Sequence, residues 1–379
     1  MKIPTGIIAS IVFLAETAAA EANAPAYSVV TLRSLGGTAG GASSINAAGW
    51  VSGLSTLAGD QVVHAALWVH GQSIDLGALG GPGVNSGVAW PNHASRTVVG
   101  ISETSRPDPL GEAWSCAAFI PTTGHTCLGF AWRDGVMTPL PTLGGNNGYA
   151  AGANGAGQIV GWAETATHDP TCTGKQVLGF KAVLWEKGQA QALPPLPGDP
   201  DSAATAINDR GEVVGISGLC YKAVGASSAR HAVLWQRGVP TDIGNLGGIA
   251  WNTPAAINGR GQVVGFSDLP GDTPDSPNFH AFLWTSQSGI KDLGTLPGDF
   301  LSLAYGINDE GQIVGQSIGD GGSRAFVIRN GAMTDLNALV PEGSPTLIYA
   351  NDVNDRGEIV GQAYDPASGD FVAFLAVPR

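Results

Sequence analysis

The chain has 379 residues, of which 56 are glycine and only 13% are charged, with a formal net charge of −13. Glycine at about twice its ordinary share and charge at about half of it point to many tight turns joining short, mostly buried strands. The acidic balance and the lack of any Lys/Arg cluster exclude a nucleic-acid backbone as partner. After the N-terminal stretch, no apolar run is long enough for a membrane span.

In chain order, the first feature is an export signal. Lys2 is followed by an apolar stretch from Ile7 to Ala15 and by small residues at Ala18, Ala20, Ala22 and Ala24. This pattern predicts a signal peptide over residues 1–20, cleaved between 20 and 24, and a secreted or periplasmic product. Residues 27–37 (YSVVTLRSLGG) then read as one isolated strand with its trailing turn.

From there the chain repeats itself. Seven turn asparagines, Asn46, Asn92, Asn154, Asn208, Asn258, Asn308 and Asn354, recur at intervals of 46, 62, 54, 50, 50 and 46 residues. Each unit carries four short strand-like segments, here a to d. In the fourth unit these are SAATAIN (202–208), EVVG (212–215), HAVLW (231–235) and TDIG (241–244). Between a and b the run Asn208-Asp209-Arg210-Gly211 has the chemistry of a tight hairpin, with Asn capping its own turn and Gly taking the positive φ. Four antiparallel strands per unit at this period predict an all-β, seven-bladed β-propeller. Trp68, Trp132, Trp185, Trp235 and Trp284 close segment c as framework residues between blades; Ile328 and Ala376 stand there in the last two units. The seventh unit lacks a d segment, so residues 27–37 are expected to supply it and close a ring spanning 27–379.

The recurring IN-x-x-G-x-VVG element, His280-Ala281-Phe282 and the DLG element resemble the extracellular HAF repeat family, named for its His-Ala-Phe tripeptide. The likeness covers nearly all of the chain after the signal. It departs locally: the second unit has Pro91-Asn92 in place of Ile-Asn, and only the fifth spells His-Ala-Phe. The resemblance implies an exported repeat protein and brings no activity or site residues with it.

In a propeller the b–c loops and d–a connections share one face, where the longest insertions fall in repeats 2 to 4. Acidic residues gather there, among them Glu103, Asp108, Glu112, Glu164, Asp169, Asp199, Asp201, Asp268 and Asp299; Arg133, Lys187, Arg210, Arg237, Arg260 and Arg356 lie in the opposite turns. His64, His231 and His280 share one repeat position and read as framework. His125 and His168 break that rule. With Trp114, Trp162, Glu103, Glu112 and Glu164 they form the candidate ligand-binding set, aromatics as anchors and carboxylates setting charge preference. No spacing matches a nucleophile or metal motif, so no catalytic residue is assigned. Asp199 with Asp201, and Asp272 with Asp275, are weak candidates for Ca²⁺ ligands, and no other cofactor is expected. Cys116, Cys127, Cys172 and Cys220 all lie in the insertions; sequence proximity and neighbouring repeats predict Cys116–Cys127 and Cys172–Cys220 disulfides.

The sequence thus points to an exported, monomeric, non-catalytic binding module for a glycan, peptide or protein. Two other classes stay open. One is a hydrolase or lyase of extracellular polymers using the loops of repeats 2 and 3. The other is a structural cell-surface protein.

Overall fold

The computed structural model describes residues 26–88, 96–112, 114–173, 175–220, 227–271 and 278–379. The expected signal segment, Asn92, Asp272 and Asp275 lie outside them. The fold is a β-propeller: apart from the one-turn helix Trp114–Ala117 and the 3-10 turn Leu336–Leu339, its regular elements are strands.

The fourth repeat shows how the sequence builds a blade. Strands Asp201–Ile207, Val213–Gly218, His231–Gln236 and Val239–Asp242 pair antiparallel in chain order. Asn208 closes the first hairpin: its Oδ1 accepts from the amides of Arg210 and Glu212, both at 3.0 Å. Gly211 takes φ +74° at the turn's end, the left-handed region that glycine enters without strain. A bulge between Ala204 and Ala206 presses the Ala203 carbonyl toward strand b. A Cβ on Gly215 would stand 2.1 Å from that oxygen, so the Val-Val-Gly signature is a close-approach requirement.

Repeats 2 to 6 each form a separate four-stranded sheet, while repeats 7 and 1 share an eight-stranded one. In that larger sheet the N-terminal strand Tyr27–Thr31 pairs antiparallel with Asp370–Pro378, from Tyr27↔Pro378 to Thr31↔Phe374. A single parallel pairing, Ala39↔Phe371, links it to the strands of repeat 1. Tyr27 is fully buried; Arg329 lies 4.8 Å from its ring centroid and donates to its hydroxyl.

Blades are joined by two sets of side chains. Trp68, Trp185 and Trp235 are buried and donate from Nε1 to the carbonyls of Arg33, Pro141 and Pro194, at 2.7 to 2.8 Å. These carbonyls lie on the connections entering each repeat, so the tryptophans are framework. Around the innermost strands, five of the turn asparagines donate from Nδ2 to the carbonyl of the next: Asn154 to Asn208, Asn208 to Asn258, Asn258 to Asn308, Asn308 to Asn354, and Asn354 to Asn46. The asparagine therefore caps its own turn and bonds to its neighbour's, which explains its recurrence.

Candidate functional site

The insertions of repeats 2 to 4 fold into an apolar mass on one face. Cys116, Ile120, Cys127, Tyr149, Trp162, Phe180, Ile216 and Cys220 form one buried cluster, and Phe119 stacks on Tyr149 with ring centroids 4.2 Å apart. Both predicted disulfides are present, Cys116–Cys127 within the second repeat and Cys172–Cys220 across the third and fourth. They brace loops that have little secondary structure of their own.

Among the candidate contact residues, Trp162 needs correcting first. It is 1% exposed and packs edge-on against Phe180, so it presents no surface to a ligand. Following the strand-b glycine, it occupies the position where other repeats place Ile216 or Phe266, and the interior there takes any large apolar side chain. Trp114 opens the one-turn helix. His168 is exposed at the end of its strand. His125 is half-buried, its Nδ1 2.6 Å from the Thr123 hydroxyl.

The three glutamates are also inside, each fully buried. Glu103 accepts from the backbone and side chain of Asn85 at 2.9 and 3.0 Å through one oxygen. Its other oxygen takes the Thr123 amide at 2.6 Å, the Thr123 hydroxyl at 2.9 Å and the Thr122 hydroxyl at 3.3 Å. It thereby ties the connection into repeat 2 to the end of the insertion. Glu112 does the same between repeats, accepting from the amides of Val177 and Leu178 at 2.7 Å each. Glu164 accepts from the amides of Asn146 and Asn147 at 3.1 and 2.8 Å and from Gln176 Nε2 at 3.2 Å.

Burial raises the pKa of both Glu112 and Glu164. For Glu164, burial and the nearby charge of Glu112 outweigh its hydrogen bonds and carry it to about 7. A second acidic pair lies between repeats 3 and 4. Asp201 is pushed to about 7, chiefly by burial and partly because it shares a hydrogen bond with Asp169, whose own pKa is held down. Against its own burial, Asp169 is lowered first by the hydroxyl and amide of Thr171 and then by its bond to Asp201.

The candidate Ca²⁺ ligands that are described already have partners. Asp199 accepts from Ser217 at 2.8 Å and faces His231 Nδ1 at 2.8 Å; Asp201 accepts from the Phe180 amide at 2.6 Å. Among the described residues, no three His, Cys, Asp or Glu side chains converge where they could hold a metal ion.

His231 belongs to a repeating latch. The same repeat position on strand c carries a cation or imidazole facing an aspartate, as in His64–Asp75 at 2.8 Å and His280–Asp292 at 2.9 Å. Lys181 occupies the place in repeat 3, with Nζ 3.8 Å from Asp201, and Arg324 in repeat 6, bridging Asp299 and Asp335 at 2.8 and 3.1 Å.

Asn147, which is buried and donates to Glu164 and Asp108, is missing from the sequence-based set, as is Gln176. The Gly144-Gly145-Asn146-Asn147 run was the available signal. A cleft of about 560 Å³ also opens between repeats 2 and 3, walled by Pro107, Pro109, Leu128 and Pro141, with Arg106 its one charged lining residue.

No family model and no curated protein matches the chain. Among solved structures, it is similar to the β-propeller domain of the Trilobed protease from Pyrococcus furiosus, at 13% identity and TM-score 0.47, over 78% of this chain and 80% of that one. It is similar to an oligogalacturonate lyase in complex with manganese at 12% identity and TM-score 0.41, covering 93% and 91%. A third likeness is to Porphyromonas gingivalis dipeptidyl peptidase 4, at 10% identity and TM-score 0.33, covering 85% and 43%.

Proposed function

We propose that the chain is an exported, non-catalytic binding module, a seven-bladed propeller of the HAF repeat type that acts through its long-loop face. One observation carries the non-catalytic reading: Glu103, Glu112 and Glu164, the carboxylates best suited to acid–base work, are buried and bonded to loop amides. A general acid must reach the proton it transfers. These groups serve as struts, and what the face offers a ligand is shape and charge.

The seven-blade count takes the eight-stranded sheet as two blades whose strands pair at Ala39 and Phe371 alone. Closure is supported by the bonds that repeat 7 makes to repeat 1. Asn354 donates to the Asn46 carbonyl, Asn351 to Ala42, and Gln362 to Gly40, while Asp352 accepts from the Ile45 amide. The N-terminal strand is the fourth strand of the last blade. Two disulfides and the N-terminal signal pattern support export.

The test is calorimetric titration of the mature protein against glycan, peptide and divalent-cation sets, with turnover of extracellular polymers assayed in parallel. Saturable binding without turnover is expected. Polymer cleavage abolished by His125→Ala or His168→Ala would establish the hydrolase or lyase reading instead, since both side chains are at least partly accessible.

A further inference from the structure

Among the described side chains, the exposed aromatics are not where the insertions are. Phe300, Tyr364 and Phe371 are 50%, 38% and 48% exposed, and they are the only aromatics among the well-exposed large apolar side chains of the described residues. All three lie at the long-loop ends of strands in repeats 6 and 7, whose b–c hairpins are short and cover nothing. Tyr364 and Phe371 face each other across the hairpin of Ile359–Asp365 with Asp370–Pro378. Their centroids are 5.5 Å apart and their planes are inclined at 56°.

Carboxylates adjoin this pair: Asp365 and Asp370 oppose each other on the next rung of the same hairpin. Like charges directly opposite on adjacent strands are unfavourable without a counter-charge. Neither aspartate forms an ion pair with a described residue, and Arg324, the framework cation of repeat 6, is taken by Asp299 and Asp335. Asp365 spends Oδ1 on the Ala367 amide at 2.9 Å, an ordinary turn bond that leaves its charge in place.

We propose that this hairpin surface of repeats 6 and 7 docks a basic segment of a partner polypeptide. Lysine methylenes lie on the faces of Tyr364 and Phe371, and the ammonium groups are held by Asp365 and Asp370. The inference rests on the binding-module reading and gives it a location and a partner class. Two features favour a lysine-bearing peptide over a sugar chain. A flat pyranose needs a level aromatic platform, which two rings inclined at 56° do not make. An alkyl-ammonium fits both the exposed ring faces and the acidic rim, and the chain's net charge of −13 steers cations toward it.

The experiment titrates the full mature chain with a synthetic Lys-Gly-Ser repeat peptide, its fully acetylated-lysine counterpart, a chitosan hexamer and a neutral cello-oligosaccharide, at low and high salt. The lysine peptide is expected to bind at low salt and weaken at high salt, and the acetylated one to fail. Phe371→Leu, and separately Asp370→Asn, are expected to weaken binding about tenfold. Both side chains are largely outside the core, so melting temperatures should stay near wild type; Tyr364→Leu provides a second aromatic variant. Unchanged affinity in all three variants overturns the proposal, as does binding of the chitosan hexamer with none of the lysine peptide. If only a neutral glycan binds, the inference fails while the binding-module reading stands. If nothing binds in this or the wider screen, both fail.

Discussion

Raising the pH from 5 to 8 removes the proton from Glu164, and the folded protein resists that loss more than the unfolded chain does. Burial and the neighbouring Glu112 raise the folded pKa from 4.5 to about 7. At about 1.4 kcal/mol per pH unit, the full ionisation of Glu164 costs the native state about 3 kcal/mol. The sign is opposite to that of a salt-bridged carboxylate. The folded state binds the proton more tightly, so Glu164's contribution is complete below pH 4.5. It falls as the pH passes through the window up to about 7 and is constant above it. Glu164→Gln has no proton to lose and keeps one acceptor oxygen for the amides of Asn146 and Asn147. Urea unfolding at pH 5 and pH 8, with disulfides intact, should show a loss of stability across that interval that is smaller in the variant by up to about 3 kcal/mol. The raised pKa of Glu112 comes from burial and from the charge of Asp108, both kept in the variant, so its own pH dependence is common to the two proteins. The same pH dependence in both proteins would refute the placement of a buried, proton-holding carboxyl at Glu164.

Other perturbations test the frame. Trp162→Ala should cost about 4 kcal/mol as a core deletion, read as a lowered urea midpoint; a near-neutral effect would contradict its burial. Replacing Cys172 and Cys220 with alanine opens a link spanning 48 residues and should lower stability by about 4 kcal/mol in the loop-entropy account, against about 3 kcal/mol for the 11-residue Cys116–Cys127 link. Non-reduced peptide mapping that finds other pairings ends that comparison. Removing residues up to 33 uncovers strand Asp370–Pro378 and the pocket of Tyr27, and should give an aggregating or clearly less stable protein; an unchanged melting temperature would argue against a closing strand. Asn258→Ala removes a turn cap and the bond to the Asn308 carbonyl together and should cost about 3 kcal/mol, measured by urea unfolding.

The sequence by itself determined the blade. Its information there is local and recurs: Asn at the turn, Gly where the strand-a carbonyl crowds strand b, and Trp at the end of strand c each answer a requirement within one hairpin or between neighbours. The disulfide pairing was legible for the same reason, since short separation and adjacent repeats leave few other partners. What only the tertiary structure decided was which side chains of the insertions face in and which face out. Glu103, Glu112, Glu164 and Trp162 look like surface chemistry in a loop-rich stretch, yet all four are buried. Glu112 lies in an insertion with no period to reveal a side, and its direction is set by a donor far along the chain, the Val177 amide 65 residues away. Conversely, Tyr364 and Phe371 stand on regular strands, and only the structure shows them exposed, side by side on a short hairpin.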